Sequence, residues 1–445
     1  MSRSTNRRTF LQESAAIGIG LWAGGGMLPR ASAAANERVR FACIGIGGKG
    51  DSDSADAGKN GDVVAICDID DARLDNAAKK FPNAQRFNDY RKLFDEVGKN
   101  IDGVTVSTPD HHHAFASIAA MKLGKACFCQ KPLTHSVSEA RLMANVAREM
   151  KVATQMGNQG TAADALRKAA ATIKAGTLGT VKEVHVWTNR PVWPQGGPRP
   201  KPAESIPETV HWDIWVGPAP FREYAAGAYH DFKWRGWWDF GTGALGDMAC
   251  HTFNMPYMAL DLKNPTSIEA EHSGHNGDSY PNWSIIKFMF PATSSRPAIP
   301  VTWYDGGEKP ERELFGDKFA GKDLPISGAL IVGEKDTLHA HGDYCERFSL
   351  ISGAEPPDVE FVKSPGHFVE WVQAIQGGKP AMSNFPDYSG GLTETILLGN
   401  LAVWAGKGPN SDGKKIEWDS KNLRATNAPE VDVIIKRPYR SGWAL

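Results

Sequence analysis

A glycine-rich run at residues 45–50 constrains the fold of this chain more than any other feature. Its spacing, G-x-G-x-x-G after an apolar stretch, allows a tight strand-to-helix turn and a close approach of the backbone to a pyrophosphate. The next apolar run ends in Asp68, where a carboxylate can accept hydrogen bonds from adenosine ribose hydroxyls. The pattern predicts a nicotinamide dinucleotide site, with a chance glycine-rich turn as the alternative. NAD is favoured over NADP because Asp68 repels a 2′-phosphate. The predicted cofactor ligands in these motifs are Gly45, Gly47, Gly48, Gly50 and Asp68.

Short apolar runs alternate with helical patterns from residue 39 to about residue 157. This alternation predicts an α/β fold with a doubly wound parallel sheet, a Rossmann domain, over residues 36–157. The helix expected after the glycine-rich run lacks a strong apolar face. The predicted strands are Val39–Gly45, Asp62–Cys67, Gly103–Ser107, Ala126–Cys129 and Ala153–Met156, and the predicted helices are Ala72–Lys80, His111–Leu123 and Val137–Met150.

The pattern changes near residue 158. Residues 189–235 form a long segment rich in Pro and Trp, and the strand-like runs after it have no helix of regular length between them. This predicts an α+β domain at 158–445, with a large, mostly antiparallel open sheet. Its predicted strands are Val181–Trp187, Ile268–Glu271, Ser284–Phe290, Pro300–Tyr304 and Ala329–Val332, and its predicted helices are Leu166–Ala175, His367–Gln376 and Leu392–Trp404.

The first 35 residues have the charge, length and order of a secretory signal. Arg7 and Arg8 precede a short apolar stretch rich in Gly and Ala, and an A-x-A cleavage pattern follows at 31–33. The paired arginines favour the twin-arginine route, which exports folded proteins. Residues 1–35 are therefore predicted to be removed, and the mature protein to be periplasmic or secreted. A buried helix or a membrane anchor is the alternative, although the apolar part is short for a bilayer.

Composition excludes some classes of partner. The formal net charge is −1, and it becomes more negative once the four arginines and one glutamate of the signal are removed. That balance gives no case for binding nucleic acid or an anionic membrane. The six cysteines show no C-x-x-C pattern, and those in apolar runs are expected to be buried free thiols.

Two positions carry residue types that alcohol oxidation needs. Lys131 follows the fifth predicted strand, and the carboxyl ends of such strands face the ligand crevice. Asp247 and His251 are four residues apart, on one face of a predicted helix. A histidine can take a hydroxyl proton, a carboxylate can orient it, and a lysine can donate to a developing alkoxide. A surface ion pair between Asp247 and His251 is the alternative.

Five motifs occur in order between residues 38 and 405: the glycine-rich run with Asp68, the segment 107–113, Gln-Lys131-Pro, Trp234-Arg235, and Asp247-x-x-x-His251. Together they resemble the glucose–fructose oxidoreductase / inositol dehydrogenase (Gfo/Idh/MocA) family. The resemblance implies that Lys131, Asp247 and His251 are the catalytic residues. It further implies contacts to the cofactor from Thr108, Pro109, His113, Gln130, Lys131 and Arg235.

Two residues depart from the family pattern. Gln130 stands where the family has the glutamate of E-K-P, which keeps a hydrogen bond but removes a charge beside Lys131. Ala249 stands where glycine is usual, which is a small steric change. Neither departure removes a catalytic group.

Several other residues have less specific patterns. The three histidines at 111–113 are consecutive and lack an acidic or thiol cluster at a matching spacing, so no metal site is predicted. Asp110 is instead predicted to cap a helix. Seven of the 14 tryptophans lie between residues 187 and 238, where they either stack on sugars or pack in a core. Asn158 and Trp193 join Lys131, Asp247 and His251 as candidate substrate contacts.

The sequence thus predicts an NAD-dependent oxidoreductase that acts on CH–OH groups of a sugar, sugar derivative or cyclitol. Free NAD is scarce outside the cytosol, so the cofactor is expected to be loaded before export and tightly retained. A homo-oligomer, dimer or tetramer, is expected. Two other interpretations stay open: a redox-neutral NAD-dependent glycosidase that oxidises a sugar carbon transiently, and a non-catalytic sugar-binding module.

Overall fold

The computed structural model of the protein describes residues 38–203, 205–406 and 413–445. The predicted signal, residues 1–35, lies outside the described residues. Within these ranges, no helix has both the length and the apolar character that crossing a membrane requires.

The first described sheet is parallel and confirms the predicted Rossmann arrangement. Its six strands run in the order β3-β2-β1-β4-β5-β6, so the strand order reverses between β1 and β4, where ligands bind in such sheets. The unpredicted strand is β3, which is short and has a single apolar residue. The strands are β1 Val39–Ile44, β2 Gly61–Cys67, β3 Gln85–Phe87, β4 Gly103–Val106, β5 Ala126–Cys129 and β6 Thr154–Met156.

Five helices connect these strands. The packing of the first one explains why its sequence lacks a strong apolar face. Helix α1 buries Gly50, Ser54 and Ala57, and a Cβ added at Gly50 would collide with the carbonyl oxygen of Gly45. The helix therefore packs through small residues at close range. The five are α1 Lys49–Asn60, α2 Asp71–Lys80, α3 Tyr90–Val97, α4 Asp110–Lys122 and α5 Val137–Met150.

The second sheet confirms the predicted large, mostly antiparallel architecture. Its nine strands run in the order β13-β12-β11-β7-β10-β9-β8-β14-β15, and the one parallel pair among them joins β7 to β10. The strands are β7 Val181–Trp187, β8 Ser267–His272, β9 Ser284–Phe290, β10 Ile299–Tyr304, β11 Gly328–Gly333, β12 Thr337–His341, β13 Arg347–Leu350, β14 Ile416–Asp419 and β15 Arg424–Ala425.

Seven further α-helices belong to the described part of the chain after residue 163. Helix α11 is buried nearly all round, and it packs against α5, α8 and β8, which places it between the two sheets. The helices are α6 Asp164–Lys174, α7 Trp212–Val216, α8 Gly243–Thr252, α9 Asn254–Leu260, α10 His367–Ile375, α11 Gly390–Ala405 and α12 Asp432–Ile435.

Helix α10 completes the core of the parallel sheet. Trp371 is fully buried; its ring stacks on Phe41 of β1 with 5.3 Å between centroids and lies 5.7 Å from Phe128 of β5. Its indole N–H donates to the carbonyl of Ala153 at 3.1 Å. A helix from the late part of the chain thus covers the first sheet, and the division of the chain at residue 157 stays a prediction.

We expect Trp371→Ala to lower the free energy of unfolding by about 3–5 kcal/mol, because it removes a fully buried aromatic side chain. Chemical denaturation followed by circular dichroism measures this change. Val362→Ala is the control, since Val362 is 68% exposed and its loss should cost no more than about 0.5 kcal/mol. Equal effects of the two substitutions would contradict the packing role of α10.

Candidate functional site

A cavity of about 520 Å³ lies at the carboxyl ends of the parallel strands. Its walls come from the glycine-rich turn, the ends of β2, β4 and β5, the irregular segment before α8, helix α8 itself, and Tyr344. This is the crevice that the strand order of the first sheet predicts.

The glycine-rich turn has the conformation that a pyrophosphate site needs. Gly45 and Gly48 have positive φ values of 74° and 55°, and a Cβ at Gly45 would approach the carbonyl oxygen of Ser107 to 2.7 Å. Within the described residues, no side chain caps the first turn of α1. The positive end of the helix at this turn therefore suits a dinucleotide pyrophosphate.

The four glycines predicted to bind the cofactor have two different roles in the structure. Gly45, Gly47 and Gly48 line the cavity. Gly50 lies beneath them, where it lets α1 approach β1. The sequence motif thus contains three residues that face a ligand and one that permits packing.

Asp68 lies at the end of β2 and lines the cavity. Its carboxylate accepts hydrogen bonds from the backbone N–H of Ile46 at 3.0 Å and of Asp70 at 3.1 Å. Burial raises the pKa of Asp68, and the nearby Arg73 guanidinium opposes that rise. The acid is therefore fixed in place beside the turn, at the position where a ribose is expected.

Lys131, Asp247 and Arg235 form a partly buried ion triad in the wall of the cavity, with Asp247 as its buried member. The Lys131 ammonium donates to the carbonyl oxygen of Asp247 at 2.7 Å and to its carboxylate at 2.8 Å. Nε of Arg235 donates to the same carboxylate oxygen at 3.1 Å. Burial acts to raise the pKa of Asp247, but the two cations outweigh burial and hold it well below its usual range.

His251 lies one helical turn after Asp247 on α8, and both residues are buried, so the surface ion pair considered from the sequence is wrong. Burial, followed by the charge of Lys131, holds the pKa of His251 well below its usual value. The imidazole is therefore neutral near pH 7. Its ring packs on Tyr344 with centroids 4.5 Å apart, and in the described structure its Nδ1 makes no hydrogen bond. A neutral imidazole of this kind can accept a proton.

The loop after β4 divides in the same way as the glycine-rich turn. Thr108 and Pro109 line the cavity, as does Gln130 after β5, whereas His113 is buried and does not. The two ring nitrogens of His113 each lie 2.8 Å from a carbonyl oxygen, one of Pro132 and one of Thr108. His113 thus supports the cavity wall and does not face a ligand.

Asn158 does not line the cavity. Its side chain is fully buried, accepts from the hydroxyl of Ser383 at 2.6 Å, and donates to the carbonyl of Cys250 at 3.4 Å. The prediction of a substrate contact therefore does not fit its position. Asn158 instead connects the end of β6 to helix α8, which carries Asp247 and His251.

The predicted helix cap at Asp110 is also wrong. Asp110 is the first residue of α4 and makes no capping bond; its carboxylate accepts from the Thr242 hydroxyl at 2.7 Å. Burial raises the pKa of Asp110 to about 7. The three histidines after it are buried and directed at backbone carbonyls, and no group of three metal-ligating side chains occurs among the residues described.

The tryptophan-rich segment forms part of the core and part of the cavity wall, and stacking on a sugar stays a prediction. All seven tryptophans between 187 and 238 are buried, and several pack on each other or on the core, as in the stack of Trp212 on Trp215 with 4.5 Å between ring centroids. Those that line the cavity are Trp193, Trp215 and Trp234. The Arg235 guanidinium lies 4.2 Å above the ring of Trp234.

Among the charged and aromatic residues of the site that sequence reasoning missed are Asp53, Arg73, Arg190 and Tyr344. Arg73 and Asp53 are on the two helices that follow the cofactor motifs, so their proximity to the turn was a readable signal. Tyr344 lies in the turn between two strands that were not predicted, and no signal in the sequence links it to His251. All except Asp53 line the cavity.

Family comparisons agree with this arrangement. The model of the oxidoreductase family's NAD-binding Rossmann fold matches residues 39–158, and that of its C-terminal alpha/beta domain matches residues 167–295. The chain belongs to the Gfo/Idh/MocA oxidoreductase family. It therefore has an NAD-binding Rossmann domain of the oxidoreductase type.

The curated relatives match over a limited length. The chain is 32% identical over 81 residues to the inositol 2-dehydrogenase of Salmonella typhimurium, which is 18% of the chain and 24% of the relative. It is 33% identical over 138 residues to a glycosyl hydrolase family 109 protein of Stenotrophomonas maltophilia, which is 28% of the chain and 29% of the relative. Each alignment thus spans under a third of the relative.

Solved structures share the fold across most of the chain. The WlbA dehydrogenase of Chromobacterium violaceum, in complex with NADH and UDP-GlcNAcA, has a TM-score of 0.59 at 17% identity, covering 86% of this chain and 97% of that one. The aldose–aldose oxidoreductase of Caulobacter crescentus has a TM-score of 0.54 at 14% identity, covering 81% and 96%.

Because its pKa is held well below the usual value, we expect the imidazole of His251 to stay neutral at the pH where a free histidine is half protonated, near about 6.5. NMR of protein labelled with ¹³C at the histidine rings measures this, with the resonance assigned by its loss in His251→Asn. The unfolded protein in denaturant is the control, in which every histidine should titrate normally. A midpoint near pH 6.5 in the native protein would contradict the burial of this ring.

Proposed function

We propose that the protein is an NAD-dependent oxidoreductase that acts on a CH–OH group of a sugar, sugar derivative or cyclitol. The observation that carries the proposal is the buried contact of Lys131 with Asp247, one turn before a neutral His251, in the cavity that the glycine-rich turn also lines. The family supports dinucleotide chemistry. The inositol and levoglucosan dehydrogenases among its relatives support a polyhydroxylated substrate.

The residues of this chain can manage the proton and the charge of such a reaction. A bound oxidised nicotinamide supplies the hydride acceptor. His251 takes the hydroxyl proton, because its imidazole is neutral. Lys131 donates to the substrate oxygen, where negative charge develops. Two cations, Lys131 and Arg235, share the one carboxylate of Asp247, so a net positive charge remains to stabilise the alkoxide.

The same residues fit a second candidate function, a redox-neutral glycosidase. The match to a glycosyl hydrolase family 109 protein favours it. In that reaction a sugar carbon is oxidised transiently, a glycosidic bond is eliminated, and the hydride returns. Release of sugar from an aryl glycoside without net formation of NADH would distinguish this function from net oxidation.

We expect His251→Asn and Lys131→Met each to slow turnover by about 10²–10⁴-fold, because each removes a group that handles the proton or the charge. The measurement is reduction of enzyme-bound NAD by a panel of sugars and cyclitols, followed by the absorbance of NADH. His341→Asn is the control, since His341 lies on β12 and does not line the cavity.

Dinucleotide binding should survive in both variants. A His251→Asn enzyme with nearly the parent rate would remove His251 from the mechanism. A protein that binds NAD but reduces none of it with any substrate in the panel would favour the glycosidase. A protein that binds sugar without NAD would favour the non-catalytic module.

We also propose that the cofactor is loaded in the cytosol and retained through export by the twin-arginine route. Support comes from the irregular segment, which docks beside Asp68: the backbone N–H of Asp71 donates to Thr209 at 2.9 Å, and that of His211 donates to Ile69 at 2.9 Å. The guanidinium of Arg73 on α2 also pairs with the carboxylate of Asp231 in the irregular segment at 3.1 Å. These contacts enclose the adenosine end of the cavity and should slow the release of a bound dinucleotide.

Mature protein recovered from outside the cytoplasmic membrane should carry NAD(H) in near-stoichiometric amount, as native mass spectrometry can measure. Replacing Arg7 and Arg8 with lysine should leave the loaded precursor in the cytosol. Asp68→Ala should narrow the preference for NAD over NADP, because it removes the carboxylate that repels a 2′-phosphate. Asp68→Asn removes the same charge at nearly the same side-chain size and should narrow the preference as well. Exported protein that is empty and active only with added NAD would contradict retention.

A further inference from the structure

We propose that Asp53 positions the dinucleotide-binding groove, and that it does so through an amide–carboxylate pair with Gln130. The inference rests on the proposed function, since it assigns a residue that prepares the cofactor site. It concerns a side chain that does not line the cavity and that no cofactor motif includes.

Asp53 is a buried carboxylate with three donors. It lies on α1, is 2% exposed, and accepts from the ammonium of Lys49 at 2.5 Å, from the hydroxyl of Ser107 at 2.7 Å and from the amide of Gln130 at 2.8 Å. Burying a carboxylate is unfavourable unless hydrogen-bond donors of the protein compensate it. Donors from three separate segments thus contact one carboxylate.

The three donors are the segments that form the groove. Lys49 follows the glycine-rich turn, Ser107 follows β4, and Gln130 precedes Lys131 after β5; all three line the cavity. Asp53 therefore connects the region expected to bind pyrophosphate with the turn that presents the catalytic lysine. Loss of its carboxylate would therefore remove a hydrogen bond from three parts of the cavity wall at once.

The orientation of Gln130 is fixed from three sides. Its amide nitrogen donates to Asp53, and its amide oxygen lies 3.3 Å from the backbone N–H of Lys131. Its amide group also lies against Gly157, where a Cβ would come within 2.5 Å. The side chain cannot turn away, so residue 130 must present a donor to Asp53.

This arrangement gives a physical reason for the departure from the family pattern at residue 130. A glutamate there would place two carboxylate oxygens at the distance of a hydrogen bond with no donor between them, which is strongly unfavourable. At this contact the carboxylate comes from Asp53 on α1, and residue 130 supplies the amide. Gln130 is thus the neutral partner that Asp53 requires.

The two residues can be exchanged to test the pairing. In Asp53→Asn, the new amide faces the amide of Gln130 or turns its NH₂ group towards the ammonium of Lys49. In Gln130→Glu, the new carboxylate faces the carboxylate of Asp53. The double variant Asp53→Asn/Gln130→Glu restores one amide and one carboxylate in reversed order. We expect each single variant to weaken NADH binding by about tenfold or more, and the double variant to recover to within about threefold of the parent.

Binding is measured by titration of dinucleotide-free protein with NADH, so that the readout does not depend on knowing the sugar. Asp56→Asn is the matched control, since Asp56 lies on the same helix and pairs at the surface with Lys59; it should bind as the parent does. Ser107→Ala removes one donor with little risk to folding and should weaken binding less. Thermal unfolding of each variant checks that it is folded.

Recovery in the double variant is the result that a merely structural role would not give. The proposal is overturned if Asp53→Asn binds NADH as well as the parent, or if the double variant is no better than the worse single variant. A parent that binds NADH but oxidises no sugar would contradict the proposed function alone. A parent that binds no dinucleotide would contradict both.

Discussion

The ion triad of Lys131, Asp247 and Arg235 is the interaction on which the arrangement of the site depends. Lys131 comes from the end of a parallel strand, and Asp247 comes from α8, which packs against the buried helix α11. Removing either cation would leave the buried carboxylate of Asp247 with less compensation for its lost hydration. The triad therefore fixes the position of α8 against the Rossmann domain, and His251 on the same helix is placed with it.

The fold was largely predictable where burial dictates the residue types. The parallel strands β1, β2, β4 and β5 are short apolar runs because both of their faces are covered, and such runs are visible in the sequence. Strands β12 and β13 were missed because histidine, serine and arginine alternate with their apolar residues. Helix α1 looked weak because its close approach to β1 requires small side chains, so it buries little apolar surface.

The site residues were predictable where they belong to local sequence motifs. Residues within a motif, such as Lys131 or the pair Asp247 and His251, face the cavity because their spacing and their strand ends determine where they point. Contacts between segments distant in the sequence left no such signal. Asp53 and Gln130 are 77 residues apart, and Asn158 turned inward because Ser383 and Cys250, far along the chain, satisfy its amide.

The docking of Trp371 on Phe41 and Phe128 also bears on how the protein is made. The first six strands leave the ribosome more than two hundred residues before the helix that covers one of their faces. Until that helix emerges, the nascent Rossmann sheet exposes aromatic residues that the finished protein buries. A dinucleotide groove formed at that stage would rest on an incomplete support, so stable capture of a cofactor should be a late event in biosynthesis.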